Sequence, residues 1–327
     1  MAYAHWKNGH HSHHSIFDLF FRQNPFYGEF TIFAGLEEVL RFLHTWEITD
    51  GDIRILQRKF GDWDNGFFQW LRKQNMAEIK IYAVREGSVV FPRLPLLRVE
   101  GPLALCQLLE STLLVLVNYA SLITTNAARH RLAVGPTKQL LEFGLRRAQG
   151  PDGAMSASRY AYMGGFDGTS NVKAAAVFGM EMRGTHAHSF VVSFYSLADI
   201  KVRHLTKIEG RNGNFRHFLL LRTNTLTSEL FVHFVVLCCP IQDKTLVDTH
   251  GVKRDFVSAV LSYRSELKRM HTHEGELAAF ISYAQAFPNG MLGLLDTFDT
   301  LESGIWNFIC VALALHQVRS DNRQQTE

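Results

Sequence analysis

The chain has 327 residues, of which 46% are hydrophobic and 20% are charged. This composition supports a packed core and excludes wholesale disorder, and the length suits about two domains. The formal net charge is +3, from 34 Lys and Arg against 31 Asp and Glu. A balance this even disfavours a protein that binds nucleic acid through its overall charge.

Cysteine usage and apolar runs bear on where the protein works. Residues 1–14 contain no apolar signal segment. The longest apolar runs, 113–117 and 231–239, are far shorter than the about 20 residues of a membrane helix, so no membrane span is predicted. The cysteines match neither a zinc site nor a disulfide framework, and free thiols predict a cytosolic protein. They are Cys106, Cys238, Cys239 and Cys310.

The first hundred residues alternate short strands and helices. Gly87 marks a turn between strand-like runs at 79–84 and 88–91. The other predicted elements are a strand at 16–21, a turn around Asn24-Pro25, a helix from Gly35 and a helix from Asp50. A histidine run precedes them, and because no carboxylate or cysteine accompanies it, a solvated loop is favoured over a metal site. Its members are His10, His11, His13 and His14.

The longest predicted helix covers 101–131. It opens at Gly101-Pro102, where proline suits the first helical turn, and it is apolar on nearly all sides, which predicts burial between layers. One polar stripe runs along it, and this stripe is either a solvent edge or a lip over a ligand site. The stripe consists of Ser111, Asn118, Thr125 and Arg129.

The composition changes near Gly135-Pro136. We therefore divide the chain into an N-terminal α/β domain, 1–135, and a second domain, 136–327. In the second domain, short strand and helix pieces alternate with glycine turns, which is typical of βα units around a barrel or sheet. Residues 206–250 break this rhythm and are treated as an atypical insertion, and helical periodicity returns from Glu274.

The first candidate site lies at 144–153. An apolar strand at 140–145 is expected to deliver Arg146 and Arg147 to its carboxyl end, where barrel proteins bind ligands. The guanidinium fork matches a carboxylate or a phosphate. Strand alternation would point the two side chains to opposite sides, so one of them is expected to face the ligand. A plain surface arginine pair is the alternative.

The second candidate site is the glycine-rich stretch 164–171. Gly164 and Gly165 would let backbone N–H groups approach an anion, with Asp167 and Ser170 beside them. No Lys-Ser or Lys-Thr pair follows, so the stretch is not a phosphate-binding P-loop. An ordinary glycine turn is the alternative.

The third candidate site is the segment 184–190. His186 and His188 are two residues apart, which places them on one face if the segment is a strand. Histidine can serve as a base, a metal ligand or a nucleophile. No third ligand accompanies the pair, so no metal site is predicted, and a structural role remains open.

Several short motifs follow one another in a fixed order. They lie at 20–26 (Phe-Phe-Arg-Gln-Asn-Pro-Phe), 33–36, 125–129, 142–153, 164–167, 184–190, 282–288 (Ser-Tyr-Ala-Gln-Ala-Phe-Pro), 295–298 and 307–308. In this order they resemble the nicotinate phosphoribosyltransferase family over most of 1–200 and 272–316. Each motif alone is weak, and their joint order is specific.

The resemblance implies an α/β fold with an N-terminal α/β domain followed by an incomplete (β/α) barrel of the type II phosphoribosyltransferase kind. The family moves phosphoribose from phosphoribosyl pyrophosphate to nicotinate, the first step of NAD synthesis from nicotinate. ATP is a co-substrate, magnesium or manganese accompanies phosphoribosyl pyrophosphate, and a homodimer is expected. Neither a nucleic acid nor a membrane is expected as a partner.

The resemblance also assigns roles to individual residues. It implies that His188 is the histidine that ATP phosphorylates and that Thr185 contacts nicotinate. It further implies that Arg146 or Arg147 holds the nicotinate carboxylate, which agrees with the fork geometry above. The glycine-rich stretch remains a candidate phosphate or ligand loop.

Some segments of the family are missing from this sequence. They are an Asp-Leu-Tyr-Gln stretch before the position of Met1, and an Asp-Ser-Gly-Asp strand and a Gly-Thr-Ser loop after Phe308. Since a barrel without its later strands cannot close, we expect a truncated chain with impaired turnover. The alternatives are a non-catalytic isoform that associates with full-length subunits, and a related phosphoribosyltransferase that uses nicotinamide or quinolinate.

Overall fold

The computed structural model of the protein describes residues 1–203, 205, 236–238, 255–288 and 290–323. The chain forms two compact units, Met1–Arg183 and Gly184–Glu327. The division predicted near 135 lies inside the first unit, because the helix Leu103–Val134 packs along the helix Gly150–Met163. The insertion predicted at 206–250 lies outside the described residues, apart from a short strand at 236–238.

The first unit combines short strands with one long helix. Its helices are α1 (Ala2–Lys7), α2 (Leu36–Thr45), α3 (Asp50–Lys59), α4 (Asn65–Arg72), α5 (Leu103–Val134), α6 (Gly150–Met163) and α7 (Val172–Phe178). Its strands are β1 (His14–Leu19), β2 (Thr31–Ile32), β3 (Lys80–Ala83), β4 (Val89–Val90), β5 (Leu97–Pro102), β6 (Leu141–Glu142), β7 (Gly168–Thr169) and β8 (Glu181–Met182).

Local sequence signals explain where the early helices begin. Thr49 and Asp52 form a capping box, in which each side chain accepts from the other residue's backbone N–H, and the helix predicted from Asp50 is confirmed. The helix predicted from Gly35 is also confirmed. Gly35 has a φ of 103°, and a Cβ at this position would lie 2.5 Å from the carbonyl oxygen of Leu116 on α5, so only glycine fits.

The strands of the first unit pair in three groups. β1, β5 and β3 form an antiparallel sheet in that order, and β2 pairs antiparallel with β4. The strands on either side of Gly87 therefore do not form a hairpin with each other, although Gly87 does turn the chain with a φ of 85°. β6, β7 and β8 form a parallel sheet, with α6 and α7 between consecutive strands. This is the βα arrangement that the glycine-separated pieces predict.

The long helix α5 departs from its prediction in two ways. Gly101-Pro102 closes β5, and the helix begins at Leu103. The prediction that α5 is buried between layers is wrong for part of the helix surface, since Val115 is 67% exposed. The predicted polar stripe is not one surface either: Ser111 is exposed, whereas the Thr125 hydroxyl is buried and accepts from the Ile32 N–H at 2.8 Å.

Within the described residues, α5 is the helix whose length and composition would allow a membrane crossing, and 39% of its most apolar window is buried. The prediction of no span rests on shorter apolar runs and overlooks this helix. Its contacts with β1, β2, β5 and α6 cover one side, and Ser121 donates to the carbonyl oxygen of Ala34 there. These contacts fit a core helix of a globular unit.

The second unit is mainly helical where it is described. Its elements are α8 (His188–Val191), β9 (Val236–Cys238), α9 (Phe256–Glu266), α10 (Glu274–Ala286), β10 (Leu292–Leu294) and α11 (Ile305–Arg323), with a π-helical turn, Thr300–Gly304, before α11. β9 and β10 pair antiparallel. The core between the helices contains Phe256, Leu277 and Phe280, all fully buried. The helix predicted from Glu274 is confirmed.

Candidate functional site

The two candidate arginines lie on a turn rather than on a strand. β6 ends at Glu142, and Leu145–Arg147 is a 3₁₀ turn that leads into α6. We name residues 144–149 the arginine turn. The predicted strand at 140–145 is therefore too long, and strand alternation does not orient the side chains. Arg146 and Arg147 are both exposed, just before the first turn of α6, where backbone N–H groups favour an anion.

A carboxylate that the sequence analysis missed holds the arginine turn. Glu142 accepts from the Gly144 N–H with one oxygen, and with the other from Ser158 Oγ at 2.7 Å and Thr169 Oγ1 at 2.6 Å. Glu142 thus joins β6, β7, α6 and the start of the turn. The signal in the sequence is slight, since it is a single glutamate inside the apolar run 140–145, at the start of the motif 142–153.

The glycine-rich stretch does not form one cradle, because β7 divides it. Gly164, Gly165 and Asp167 lie at the amino end of β7, whereas Ser170 lies at its carboxyl end, where its N–H donates to the carbonyl oxygen of Glu142 at 3.0 Å. The carboxyl end of β7 is also the end of the parallel sheet from which the arginine turn departs.

At the amino end of β7, the glycine-rich stretch makes packing and hydrogen-bond contacts within the protein. A Cβ at Gly164 would lie 2.5 Å from the carbonyl oxygen of Thr124 on α5, so this glycine permits close packing. Asp167 pairs with Arg131 at 2.5 Å and accepts from the Leu140 N–H at 2.6 Å. A ligand role for the stretch stays a prediction, and Ser170 lies at the end nearer the arginine turn.

The histidine segment, residues 184–191, is not a strand, so the shared face predicted for its two histidines is wrong. The chain from Gly184 to Ala187 has no regular structure, and α8 begins at His188. His186 is buried against Phe280 and Tyr283, and its Nε2 accepts from the Leu294 N–H at 3.3 Å. Burial lowers the pKa of His186 to about 4, so this imidazole is neutral at pH 7.

His188 is the more accessible histidine, with 40% of its side chain exposed. Its Nδ1 lies 3.0 Å from Thr297 Oγ1, and its Nε2 lies 3.7 Å from Asp296 Oδ1. Within the described part of the chain, Asp296 Oδ1 is buried and has no hydrogen-bond partner. The arrangement presents an oriented imidazole with a carboxylate beside it, which suits a nucleophile or a base.

Asp296 and Thr297 are site residues for which no individual role was predicted. Both lie more than 100 residues from His188 along the chain, and the signal is that they belong to the motif 295–298. Thr185, which the resemblance places against nicotinate, donates its hydroxyl to the carbonyl oxygen of Leu292 at 2.5 Å. Its contact with nicotinate stays a prediction.

No group of three or more His, Cys, Asp or Glu side chains within the described ranges could hold a metal ion. In the amino-terminal histidine run, His10 and His13 lie close together, with ring centroids 4.9 Å apart, while His11 packs edge-on against Trp70. The cysteines that can be described with their side chains, Cys106 and Cys310, are buried free thiols.

Comparisons with known proteins test the family resemblance. Residues 1–118 match the model of the nicotinate phosphoribosyltransferase (NAPRTase) N-terminal domain. Over 97% of this chain, the nicotinate phosphoribosyltransferase of Dictyostelium discoideum is 49% identical and that of Homo sapiens is 41% identical. These matches cover 47% and 53% of the two relatives. The chain spans about half the length of the curated relatives it matches.

The fold agrees with the sequence. The crystal structure of human nicotinic acid phosphoribosyltransferase superposes with a TM-score of 0.74 at 39% identity, over 97% of this chain and 57% of that one. The predicted fold class, an α/β chain of the type II phosphoribosyltransferase kind, is confirmed. By sequence over nearly its whole length, and by fold, the chain is similar to the nicotinate phosphoribosyltransferases.

Proposed function

We propose that this protein transfers phosphoribose from phosphoribosyl pyrophosphate to nicotinate, forming nicotinate mononucleotide and pyrophosphate, with ATP as co-substrate. The observation that carries the proposal is the oriented imidazole of His188 in a chain 49% identical to a nicotinate phosphoribosyltransferase. We assign His188 as the residue that accepts a phosphoryl group from ATP.

The surroundings of His188 suit that role. A nucleophilic nitrogen needs a free lone pair, so the reactive tautomer carries its proton on Nδ1 and donates it to Thr297 Oγ1, 3.0 Å away. Nε2 then attacks the terminal phosphorus of ATP, and the bond to the ADP oxygen breaks. The phosphorylated ring is positively charged, and Asp296 stabilises it as a neighbouring carboxylate. Water later attacks the phosphorus and releases phosphate.

Nicotinate recognition falls to the arginine turn. A guanidinium on Arg146 or Arg147 would bind the substrate carboxylate through two parallel N–H bonds. Glu142 supports this assignment, since it fixes the start of the turn from a partly buried position. Both arginine residues are exposed at the surface of the protein.

Magnesium or manganese enters this proposal as part of a substrate. The described residues offer no cluster of metal ligands, so they do not fit a metal held by the protein alone. We therefore assign the ion to its complex with phosphoribosyl pyrophosphate and derive no step through it. We also propose that the protein is a homodimer and that it works in the cytosol.

The test is a turnover assay on the purified 327-residue chain with radiolabelled nicotinate. We expect nicotinate mononucleotide that depends on phosphoribosyl pyrophosphate and increases with ATP. Nicotinamide and quinolinate, run as competitors, should bind more weakly than nicotinate. The impaired turnover predicted from the sequence stays a prediction, which the measured rate decides. Failure to form product and to phosphorylate His188 would contradict the proposed function.

A further inference from the structure

The first turn of α10 contains a buried carboxylate that the proposed reaction does not use. Glu276 is fully buried, and its Oε2 accepts from Ser303 Oγ at 2.6 Å and from Asn307 Nδ2 at 3.0 Å. Burial raises the pKa of Glu276. A carboxylate in this position is costly, because it loses hydration that only hydrogen bonds can replace.

The hydrogen bonding around this carboxylate is incomplete. Glu276 Oε1 and Asn307 Oδ1 are buried, and no described residue bonds to either of them. A partly satisfied polar network is less stable than an apolar core of the same shape. Stability alone therefore explains the buried Glu276 carboxylate poorly. The residues that hydrogen-bond to it indicate a second role.

One connection leads towards His188. The His273 N–H donates to Ser303 Oγ at 2.9 Å, and the His273 carbonyl oxygen accepts from Asn307 Nδ2 at 3.0 Å. The His273 ring stacks on Phe298, with centroids 3.7 Å apart and planes 14° apart. Phe298 directly follows Asp296 and Thr297 in the chain.

The same turn also contacts the other side of the site. A Cβ at Gly275 would lie 2.2 Å from the carbonyl oxygen of Phe194, three residues beyond α8. At the end of the π-helical turn before α11, a Cβ at Gly304 would lie 2.0 Å from the carbonyl oxygen of Leu295. Since a Cβ would not fit at either glycine, backbone lies against backbone at both places, which leaves little freedom for sliding. The segment with His188 and the segment with its two partners are both held against neighbouring backbone.

We propose that a positioning cluster, made of His273, Glu276, Phe298, Ser303 and Asn307, holds Asp296 and Thr297 within reach of the His188 imidazole. These are positioning residues, since they act through Asp296 and Thr297. The catalytic benefit rests on the proposed function. The positioning itself is a property of the fold and can be measured without substrate.

The primary test is His273→Asn in the full chain. Asparagine still caps α10 as a side-chain acceptor, but it cannot stack on Phe298. Amide exchange at 295–299, followed by mass spectrometry, should become about tenfold faster, the size expected from losing an aromatic stack. The rate at which radiolabelled ATP phosphorylates His188 should fall about tenfold or more, because misplacement near the reacting atoms is costly.

Three further variants separate positioning from general loosening. Val260→Ala removes buried volume on α9 outside the positioning cluster, so it should lower stability without accelerating exchange at 295–299. Glu276→Leu removes the acceptor for Ser303 and Asn307 and should behave like His273→Asn. Glu276→Gln keeps the shape and can donate to Asn307 Oδ1, so it should move both readouts less than Glu276→Leu does.

The outcomes are distinct. The proposal is overturned if His273→Asn leaves exchange at 295–299 unchanged, or if Val260→Ala accelerates it as much. Faster exchange in His273→Asn alone supports positioning even if the wild-type chain takes no phosphate from ATP. In that case it is the proposed function that fails.

Discussion

The arginine turn and the histidine segment are each held in place by hydrogen bonds, but their partners lie at very different distances along the chain. Glu142 fixes the arginine turn through Ser158 and Thr169, which are 16 and 27 residues away along the chain. The histidine segment is held by partners 107 to 109 residues away. A site made by one βα unit can form as soon as that unit forms, whereas the second site needs the packing of its whole unit.

The two regions also differ in exposure. The arginines are exposed, so their part in the proposed function is to attract and orient a charged substrate. The histidines are buried or half-buried beside Asp296, Thr297 and Leu294, so hydrogen bonds orient both rings, and burial lowers the pKa of His186. We therefore expect damage to the arginine turn to weaken substrate affinity, and damage to the histidine segment to impair chemistry or stability.

The largest expected effect is from His188→Ala. Phosphate transfer from radiolabelled ATP to the protein should fall to background, because the alanine variant has no nitrogen that can accept it. The measurement is protein-bound label after rapid separation. His44→Ala, an exposed histidine on α2, is the matched control and should keep the wild-type level of labelling. Undiminished labelling in His188→Ala would show that another residue accepts the phosphoryl group. The contrast drawn between the arginine turn and the histidine segment would then be wrong.

The second prediction concerns pH and the buried histidine. Burial lowers the pKa of His186 to about 4, while an unfolded histidine titrates near about 6.5. Between these values the unfolded chain binds more protons, so the free energy of unfolding decreases as the pH falls. Across the whole window the loss attributable to His186 is about 3 kcal/mol, of which about 2 kcal/mol falls between pH 7 and pH 5.

Chemical denaturation at pH 7 and pH 5 measures this loss. His186→Gln has no titrating group and can still accept from the Leu294 N–H through its amide oxygen, so it should remove most of the pH dependence that His186 contributes. An equally steep dependence in the variant would show that other groups are responsible.

Much of the fold follows from local signals. The capping box at Thr49 and the apolar spacing after Gly35 and Glu274 mark helices that the structure contains. The errors arise where tertiary contacts outweigh local preference. β3 and β4 follow one another around a glycine turn, yet each pairs with a distant strand, because partner choice depends on which side chains are buried together.

In the candidate site, too, single residues can be predicted from local sequence, whereas their tertiary contacts cannot. Arg146 and Arg147 stand out because a guanidinium fork matches a carboxylate or a phosphate. The supporting role of Glu142 is visible only once β7 lies beside β6. His188 stands out as a residue, but its contacts with Asp296 and Thr297 do not, since sequence spacing says nothing about pairs about 109 residues apart.

The third prediction sharpens the role of the exposed arginines. Arg146→Ala or Arg147→Ala should weaken nicotinate binding by about 1.5–3 kcal/mol, roughly 10- to 150-fold, because a charge-assisted contact with the carboxylate is lost. Binding of nicotinamide, which has no carboxylate, should change less. Arg58→Ala on α3 is the exposed-arginine control. If neither variant differs from Arg58→Ala, the arginine turn is a surface feature and nicotinate is held elsewhere.

The smallest expected effect tests whether Glu142 transmits order from β7 to the arginine turn. Thr169→Val keeps the shape of a buried side chain but removes the hydroxyl that donates to Glu142 and accepts from the Asn171 N–H. We expect a loss of about 1 kcal/mol in the free energy of unfolding and a several-fold rise in the KM for nicotinate, with kcat almost unchanged. Thr45→Val, which removes an exposed hydroxyl bonded within α2, is the control. A fall in kcat with an unchanged KM would mean that the arginine turn takes part in chemistry, and the separation between the two regions would be wrong.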